Sequence, residues 1–571
     1  MPVQNIEVAQ TFSQLADLLE IQGENPFRIR AYRTAAAVLI ELPQNVSDIV
    51  ASHGKLYEVP GIGKDLASKI EEIVQTGHLK VLDDVEAHTP KVLLEMLKLP
   101  RMGPKRVKLL YEKLGIQTLE ELQQAAESKK ILKVKGFGEK TRLEILEGIE
   151  KLQKEEKRKW SLYEAEEVAQ HLCDYLAQAP GLLKMTVAGS LRRRKEEVAD
   201  LDIVVTAQNP SAVMDHFLRY ERVGKMISKG STRSTVNLRT GFQVDLRVVA
   251  DESYGAALLY FTGSKAHNIA LRAMAQKRKL KINEYGVFKG DKAVTSATEE
   301  GIYELLKLPY IEPELRENRG EVEAAIKGTL PDLIRYKDIR GDLHLYSSAS
   351  LGKGSINDIA LAAQDLGYSY IGISDVAAKL ITKTSKRAFL KQIEEIDKLN
   401  DQWKDFKILK SLEVEILENG RLEISDEILA MLDYTVCSLK SQLQLETGKQ
   451  TERILRAMEN PHFKILAHPT GKLVGRPAIF KMDVEKVMKT AQQSNKILEL
   501  NCQPDRMDPA DSHCRMAKDL GVKMMISTAA ASVEQLTLMK YGIGQARRGW
   551  LERDDVVNTL SLAKLLKLLQ A

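Results

Sequence analysis

Over residues 1–160, apolar positions recur every three to four places in short stretches broken by Gly and Pro, the spacing of short amphipathic helices. One interruption occurs three times: Val59-Pro60-Gly61-Ile62-Gly63, Leu99-Pro100-Arg101-Met102-Gly103 and Val134-Lys135-Gly136-Phe137-Gly138. Each has a polar or basic residue close behind it and then an apolar-periodic helix. The pattern turns strand-like at 185–188, 201–206 and 243–249, returns to helix over 255–323, and crosses a polar connector at 331–340. Beyond the connector, strand-like runs at 370–373, 434–439, 465–467, 497–501 and 523–527 alternate with helices, which predicts a parallel, barrel-like α/β domain.

A chain of 571 residues exceeds what one hydrophobic core usually supports, so several domains are expected. With 44% hydrophobic and 29% charged residues it reads as globular rather than disordered. No apolar run approaches the ~20 residues of a membrane span. The opening MPVQNIEVAQ lacks the basic-then-apolar order of a secretory signal, so a soluble cytoplasmic protein is expected. Cys173, Cys437, Cys502 and Cys514 are scattered without a C-x-x-C pair, which argues against structural zinc or a disulfide framework. A net charge of +5 does not by itself imply a nucleic-acid partner. The charge is uneven, however, with Lys129, Lys130, Lys133, Lys135 and the run from Lys154 to Lys159 available to meet phosphate.

A Gly-x-Gly turn leading into a helix leaves backbone N–H groups at the helix N-terminus, where phosphate can approach with no Cβ in the way. Three such turns in one helical region resemble helix-hairpin-helix motifs, which grip DNA backbone without reading sequence. The middle copy has Arg101 in place of the first Gly. A less close backbone approach is expected there, with the guanidinium in compensation.

The strongest chemical signal is Gly189-Ser190, then Asp200-Leu201-Asp202, and later Asp245 in Gln243-Val244-Asp245-Leu246-Arg247. Asp200 and Asp202, two apart on a strand, project to one face, and Asp245 can join them from a neighbouring strand. Three converging carboxylates repel one another unless cations neutralise them. Two Mg²⁺ (or Mn²⁺) ions ~3.5–4 Å apart would do so and suit phosphoryl transfer. Gly189-Ser190 at a strand-to-helix turn, with Arg192, Arg193 and Arg194 behind it, offers donors and positive charge to a triphosphate.

Gly189-Ser190-Leu191-Arg192-Arg193, Asp200-x-Asp202 and Tyr260-Phe261-Thr262-Gly263-Ser264 together resemble the family X DNA polymerases, and the likeness runs through nearly the whole chain. The resemblance implies that Asp200 and Asp202 hold both metals, and that Asp245 holds the catalytic metal and acts on the primer 3′-OH. It implies that Gly189, Ser190 and Arg193 hold the triphosphate. Tyr260, Phe261 and Gly263 would crowd the sugar 2′ position. Asn268 would probe the minor-groove edge of the incoming base and Arg272 the templating base. Arg247 and Glu284 look like a pair that switches as a thumb subdomain closes.

The segment from Asn25 to Arg33 is similar to the family's 5′-phosphate-binding helix, and Lys69 matches the lysine that forms a Schiff base in DNA polymerase beta. Lys64 and Arg28 are cationic candidates for activating it. Asp65, however, stands where a phosphate-binding lysine is expected, so DNA-end binding is expected there ahead of lyase chemistry.

Gly341-Asp342-Leu343-His344, Ile373-Ser374-Asp375, residues 412–416, Ala467-His468-Pro469-Thr470-Gly471 and Ala546-Arg547-Arg548-Gly549-Trp550 resemble the polymerase-and-histidinol-phosphatase (PHP) domain. Active relatives bind three metals there. In this chain the motif positions read His344-Leu345-Tyr346, Ser350-Leu351-Gly352, Ser374-Asp375-Val376, Ser438-Leu439-Lys440 and Ala529-Ala530-Ala531. Tyr, Leu, Val and Ala are poor or impossible ligands, and Lys440 brings a cation to a cation site. His344, Glu413 and His468 survive, enough for at most one weakly bound ion. No competent trinuclear site is expected, and the domain should be folded but inactive.

The expected architecture is multidomain. A small helical DNA-end-binding domain (1–85) and a helical helix-hairpin-helix subdomain (86–160) come first. An α+β nucleotidyltransferase palm (161–254) and a thumb (255–325) follow, then a linker (326–340) and a PHP-like distorted β/α barrel (341–571). The expected activity is template-directed DNA synthesis by a monomer on gapped or nicked duplex with dNTP, nucleoid-associated when on DNA. A DNA-end-binding scaffold and a metal-dependent exonuclease are the alternatives.

Overall fold

The computed structural model describes residues 5–570 except 43–45, 52–54, 77, 88–92, 94–95, 98, 117, 135, 155–158, 291, 296 and 383–384. Lys135 and residues 155–158 of the second basic run therefore lie outside the described residues. The chain divides into two compact units, Met1–Arg158 and Lys159–Ala571.

The first unit is helical, with Asn5–Gln22, Pro26–Glu41, Lys64–Thr76, Pro104–Leu114 and Glu139–Lys154 as its main helices. Asn25 starts the second of these: its side chain accepts the Phe27 N–H at 2.9 Å, with Pro26 in the first turn. One buried cluster gathers residues such as Phe12, Leu15, Tyr32, Leu39 and Ile70. A second gathers Val107, Leu110, Leu122, Ile131 and Ile145. The three turns fold alike: Ile62, Met102 and Phe137 each donate N–H to the carbonyl three residues back, at 3.0–3.1 Å. Gly61 and Gly136 take φ of +93° and +97°, and Arg101 takes the same left-handed region at +59°. The backbone path survives the missing glycine at the cost of a conformation that L side chains disfavour.

The second unit opens on a five-stranded sheet ordered Leu182–Val187, Asp200–Ala207, Gln243–Val249, Arg233–Leu238, Val223–Ser228. Asp200–Ala207 and Gln243–Val249 run parallel, and every other pair is antiparallel. Helices Leu162–Leu176 and Pro210–Leu218 pack beside this sheet. Next come Tyr254–Thr262, Lys265–Lys277 and Glu299–Leu305. Between the last two, the helix expected throughout 255–323 gives way to an antiparallel sheet of Lys281–Asn283, Gly286–Lys289 and Lys292–Thr295. The Asn283 side chain accepts the N–H groups of Tyr285 (2.9 Å) and Gly286 (3.2 Å), a side-chain turn that closes the first hairpin.

The C-terminal sheet has seven parallel strands in chain order: Gly341–Leu345, Tyr370–Val376, Lys407–Glu415, Val436–Ser438, Ile465–Leu466, Ile497–Asn501 and Met524–Ser527. A bridge from Leu345 to Ala530 nearly closes it into a barrel. The first and third strands have polar residues buried on an inward face, which hides their strand character from periodicity alone. The 331–340 connector is packed rather than loose. Ile334 is buried and donates its N–H to Leu551 (3.0 Å), and Arg340 donates to Asn558 (2.8 Å). Leu201 and Val244 share one buried cluster with Leu412 and Ile526 of the barrel. No helix among the described residues is long and apolar enough to cross a membrane.

Candidate active site

In the parallel register of the five-stranded sheet, Asp200 lies beside Gln243 and Asp202 beside Asp245, so the three carboxylates share one edge of two adjacent strands. Burial first, then repulsion from Asp200 and Asp245, pushes the Asp202 carboxyl up to about 7. Asp245 is buried too, but hydrogen bonds from Thr235, Gln243 and Arg233 outweigh the burial and hold it below the usual carboxylate range. Its Oδ1 accepts Thr235 Oγ1 at 2.6 Å and Arg233 Nη2 at 3.1 Å, and its Oδ2 accepts Gln243 Nε2 at 3.0 Å. With Asp245 so engaged, no three His, Cys, Asp or Glu side chains among the described residues form a preassembled metal cluster. The unbalanced charge around Asp202 is nevertheless what divalent cations would neutralise, so the donor set suits Mg²⁺ or Mn²⁺.

Gly189 opens the short helix Gly189–Arg192 at φ +63°, and a Cβ there would meet Asp202 Oδ2 at 2.6 Å. The turn and the aspartate can be this close only because residue 189 is glycine. Behind it, Arg193 donates Nη1 to the Thr262 carbonyl (2.5 Å) and Nε to Glu317 (3.0 Å), which brings it against Gly263. Arg192 forks onto Glu299 (3.0 and 2.6 Å), and Arg316 reaches the same carboxylate at 2.5 Å. Tyr260 and Phe261 pack edge to face at 4.9 Å. Asn268 donates to the Tyr260 carbonyl (2.8 Å), and the Arg272 guanidinium lies 5.1 Å from the Tyr260 ring. Arg247 stacks over Phe261 at 4.0 Å, and no ion pair joins it to Glu284. Sequence reasoning missed the residues that hold Asp245, namely Arg233 and Thr235, because their strand carries no motif.

In the first unit, Lys69 is paired with Asp65. Its expected cationic neighbours turn elsewhere, Lys64 toward the Tyr57 ring (5.8 Å) and Arg28 toward Glu24 (3.6 Å). At Gly63, Gly103 and Gly138, where the three helices begin, an added Cβ would meet nothing within 4 Å. These helix N-termini are sterically open to a phosphate.

Inside the barrel the surviving motif residues are held by other side chains, and His468 donates its backbone N–H to Glu499 at 2.7 Å. His344 Nδ1 lies 2.6 Å from Glu499, a buried acid in the 497–501 strand that no motif had marked. Glu413 accepts Ser438 (2.7 Å), Tyr346 (3.0 Å) and Lys440 (3.1 Å). Asp375 is held by Ser347, Ser350 and Gln392. Hydroxyls, an amide and an ammonium thus bond these carboxylates.

Family models match residues 257–317 as DNA polymerase beta thumb, 3–79 as a helix-hairpin-helix domain and 93–151 as a SAM-like helix-hairpin-helix tandem. The chain is 34% identical over 562 residues, 97% of each chain, to the DNA polymerase/3′-5′ exonuclease PolX of Bacillus subtilis (strain 168). It is 26% identical over 345 residues to DNA polymerase lambda of Rattus norvegicus, covering 55% of this chain and 56% of that protein. A probable phosphatase of Thermoanaerobacter sp. (strain X514) is 25% identical over 229 residues, 38% of this chain and 89% of its own length.

Proposed function

The chain belongs to the family X DNA polymerases, and from that premise we propose that it extends primer 3′-ends across short gaps in DNA repair, at the face formed by Asp200, Asp202 and Asp245. The observation that carries this reading is the register setting Asp202 beside Asp245, with the burial and repulsion that make the pair a site for cations. Two Mg²⁺ or Mn²⁺ ions held there would lower the charge on the attacking 3′-oxygen and the leaving pyrophosphate.

The protein's own groups position the reactants around that charge. Asp245, now bonded to Arg233 and Thr235, would help hold a metal and meet the primer end. Ser190, the Gly189 turn and Arg193 hold the triphosphate through backbone and side-chain donors. Tyr260, Phe261 and Gly263 crowd the sugar 2′ position and so favour a deoxynucleotide. Asn268 and Arg272 swing from Tyr260 to the incoming and templating bases. The open helix N-termini of the first unit hold DNA backbone, and the Lys69–Asp65 pair favours end binding over lyase chemistry there.

The barrel is read as inactive. The Bacillus relative carries exonuclease in its name, whereas here Lys440 and Tyr346 sit on Glu413.

Primer extension on a one-nucleotide gap with a 5′-phosphate tests both halves, comparing wild type with Asp245→Ala, without and with Mn²⁺. Extension by the wild type alone, with no primer shortening, is expected. Intact DNA binding without extension would favour the end-binding scaffold. Mn²⁺-dependent shortening that His344→Ala abolishes would sink the inactive-barrel reading.

A further inference from the structure

The turn that leads from Gly189 through Arg194 is clasped by the C-terminal part of the chain. Arg194 donates to Glu166 (2.6 Å), which also accepts the Tyr541 hydroxyl (2.7 Å) and pairs with Lys540 (2.7 Å). Lys472 bonds Glu196. At the centre of the clasp, one carboxylate oxygen is shared by two arginines. Glu317 Oε1 accepts Arg193 Nε at 3.0 Å and Arg548 Nη1 at 3.0 Å. Arg548 Nη1 also reaches the Arg193 carbonyl (2.7 Å), and its Nη2 is fixed by Asp511 at 2.7 Å. Asp511 in turn pairs with Arg319 at 3.0 Å. The Arg548 side chain is only 3% exposed, so this geometry is built in rather than a surface encounter.

Glu317 thus neutralises Arg193, the proposed triphosphate ligand. An incoming triphosphate competes with Glu317 for Arg193. Without another partner, Glu317 would be left as a largely buried, uncompensated charge, an unfavourable state. Arg548 provides that partner in advance, on the same oxygen, and Asp511 keeps it there.

We propose that Arg548, supplied by the C-terminal barrel domain, is a positioning residue for the polymerase reaction: it retains Glu317 as Arg193 turns to the nucleotide, and so sets dNTP affinity. This rests on the reading of Arg193 as a triphosphate ligand. It gives a barrel without a metal site a function in synthesis, through the Ala546-Arg547-Arg548-Gly549-Trp550 segment.

Steady-state gap filling by the full chain tests it, with Arg548→Met, Glu317→Gln, the double variant and Arg193→Met. Arg548→Met is expected to raise KM for dNTP ~10-fold with kcat nearly unchanged, a coupling of ordinary size. Glu317→Gln alone frees Arg193 and lowers KM. In the double variant KM matches that of Glu317→Gln alone, below the wild-type value, a rescue that a purely structural contact does not give. If Arg548→Met does not fold, the sign of the Glu317→Gln effect decides, and a raised KM overturns the proposal. An unchanged KM in Arg548→Met beside a raised KM in Arg193→Met rejects the relay and keeps the triphosphate reading. An unchanged KM in Arg193→Met rejects both.

Discussion

Asp202 stands directly across from Asp245 in the parallel pairing of two central strands, and each presents its carboxylate at a largely buried edge. Like charges so placed destabilise a metal-free fold. Asp202→Asn removes the charge whose carboxyl burial and repulsion push up to about 7, so in EDTA at pH 7.5 this variant is expected to melt above the wild type, by ~2 kcal/mol or less of stability. Added Mg²⁺ should reverse the order, because a ligand that binds only the native state stabilises the wild type. Thermal melting of both proteins with and without Mg²⁺ measures this. Equal melting temperatures in EDTA would mean that the repulsion is screened away.

Gly189 makes the same edge sterically exacting. Gly189→Ala puts a methyl 2.6 Å from Asp202 Oδ2 at φ +63°, and a cost of about 1–3 kcal/mol is expected along with loss of extension. Gly63→Ala is the contrast, since its Cβ meets open space. There DNA affinity should fall, because the methyl stands where a phosphate would approach, while the urea midpoint holds or rises. A stability loss at Gly63 as large as that at Gly189 would contradict this distinction.

Arg101 carries a left-handed backbone at φ +59° and an ion pair with Glu144 at 2.8 Å. The strain outweighs a half-exposed pair, which is worth well under 1 kcal/mol. Arg101→Gly is therefore expected to stabilise the protein by about 1 kcal/mol, read as a rise in urea midpoint at constant slope. A destabilised variant would show that the guanidinium contributes more than its backbone costs.

These sites differ in how much of them the sequence announces. Two of the turns and the Asp200/Asp202 pair were legible because local chemistry fixes them: a Gly-x-Gly turn and a two-residue strand period need no tertiary context, whereas Asp245 joins only through the pairing of its strand. The 497–501 strand was visible as an apolar run, but Glu499 inside it was not, since a buried acid is justified only by the distant His344. The small sheet at 281–295 was not legible as strand because its runs are only three or four residues long and its first hairpin turns on the Asn283 side chain. Arg548 lay within a motif, yet its partners Arg193 and Glu317 are 355 and 231 residues away in sequence. No spacing rule reaches that far.

Glu299 joins Arg192 to Arg316 through charged hydrogen bonds, and its pH response follows. Burial opposes its ionisation, but Arg316 and Arg192 outweigh this and bring its carboxyl down to about 2. A carboxylate whose folded value lies below its unfolded one contributes stability that is fully present above about 4.5 and is lost as pH falls toward 2. Glu299→Gln leaves Arg316, 0% exposed at its side chain, facing an amide in place of a carboxylate. Removing one partner of such a buried pair costs about 3–5 kcal/mol at neutral pH. The gap between wild type and variant in urea midpoint should therefore be large at pH 7, begin to close below pH 4.5, and be smallest at the lowest pH where the wild type still folds. A gap that stayed constant from pH 7 to pH 3 would mean that Glu299 acts by shape and hydrogen bonding, and that its charge is not what binds Arg192 to Arg316.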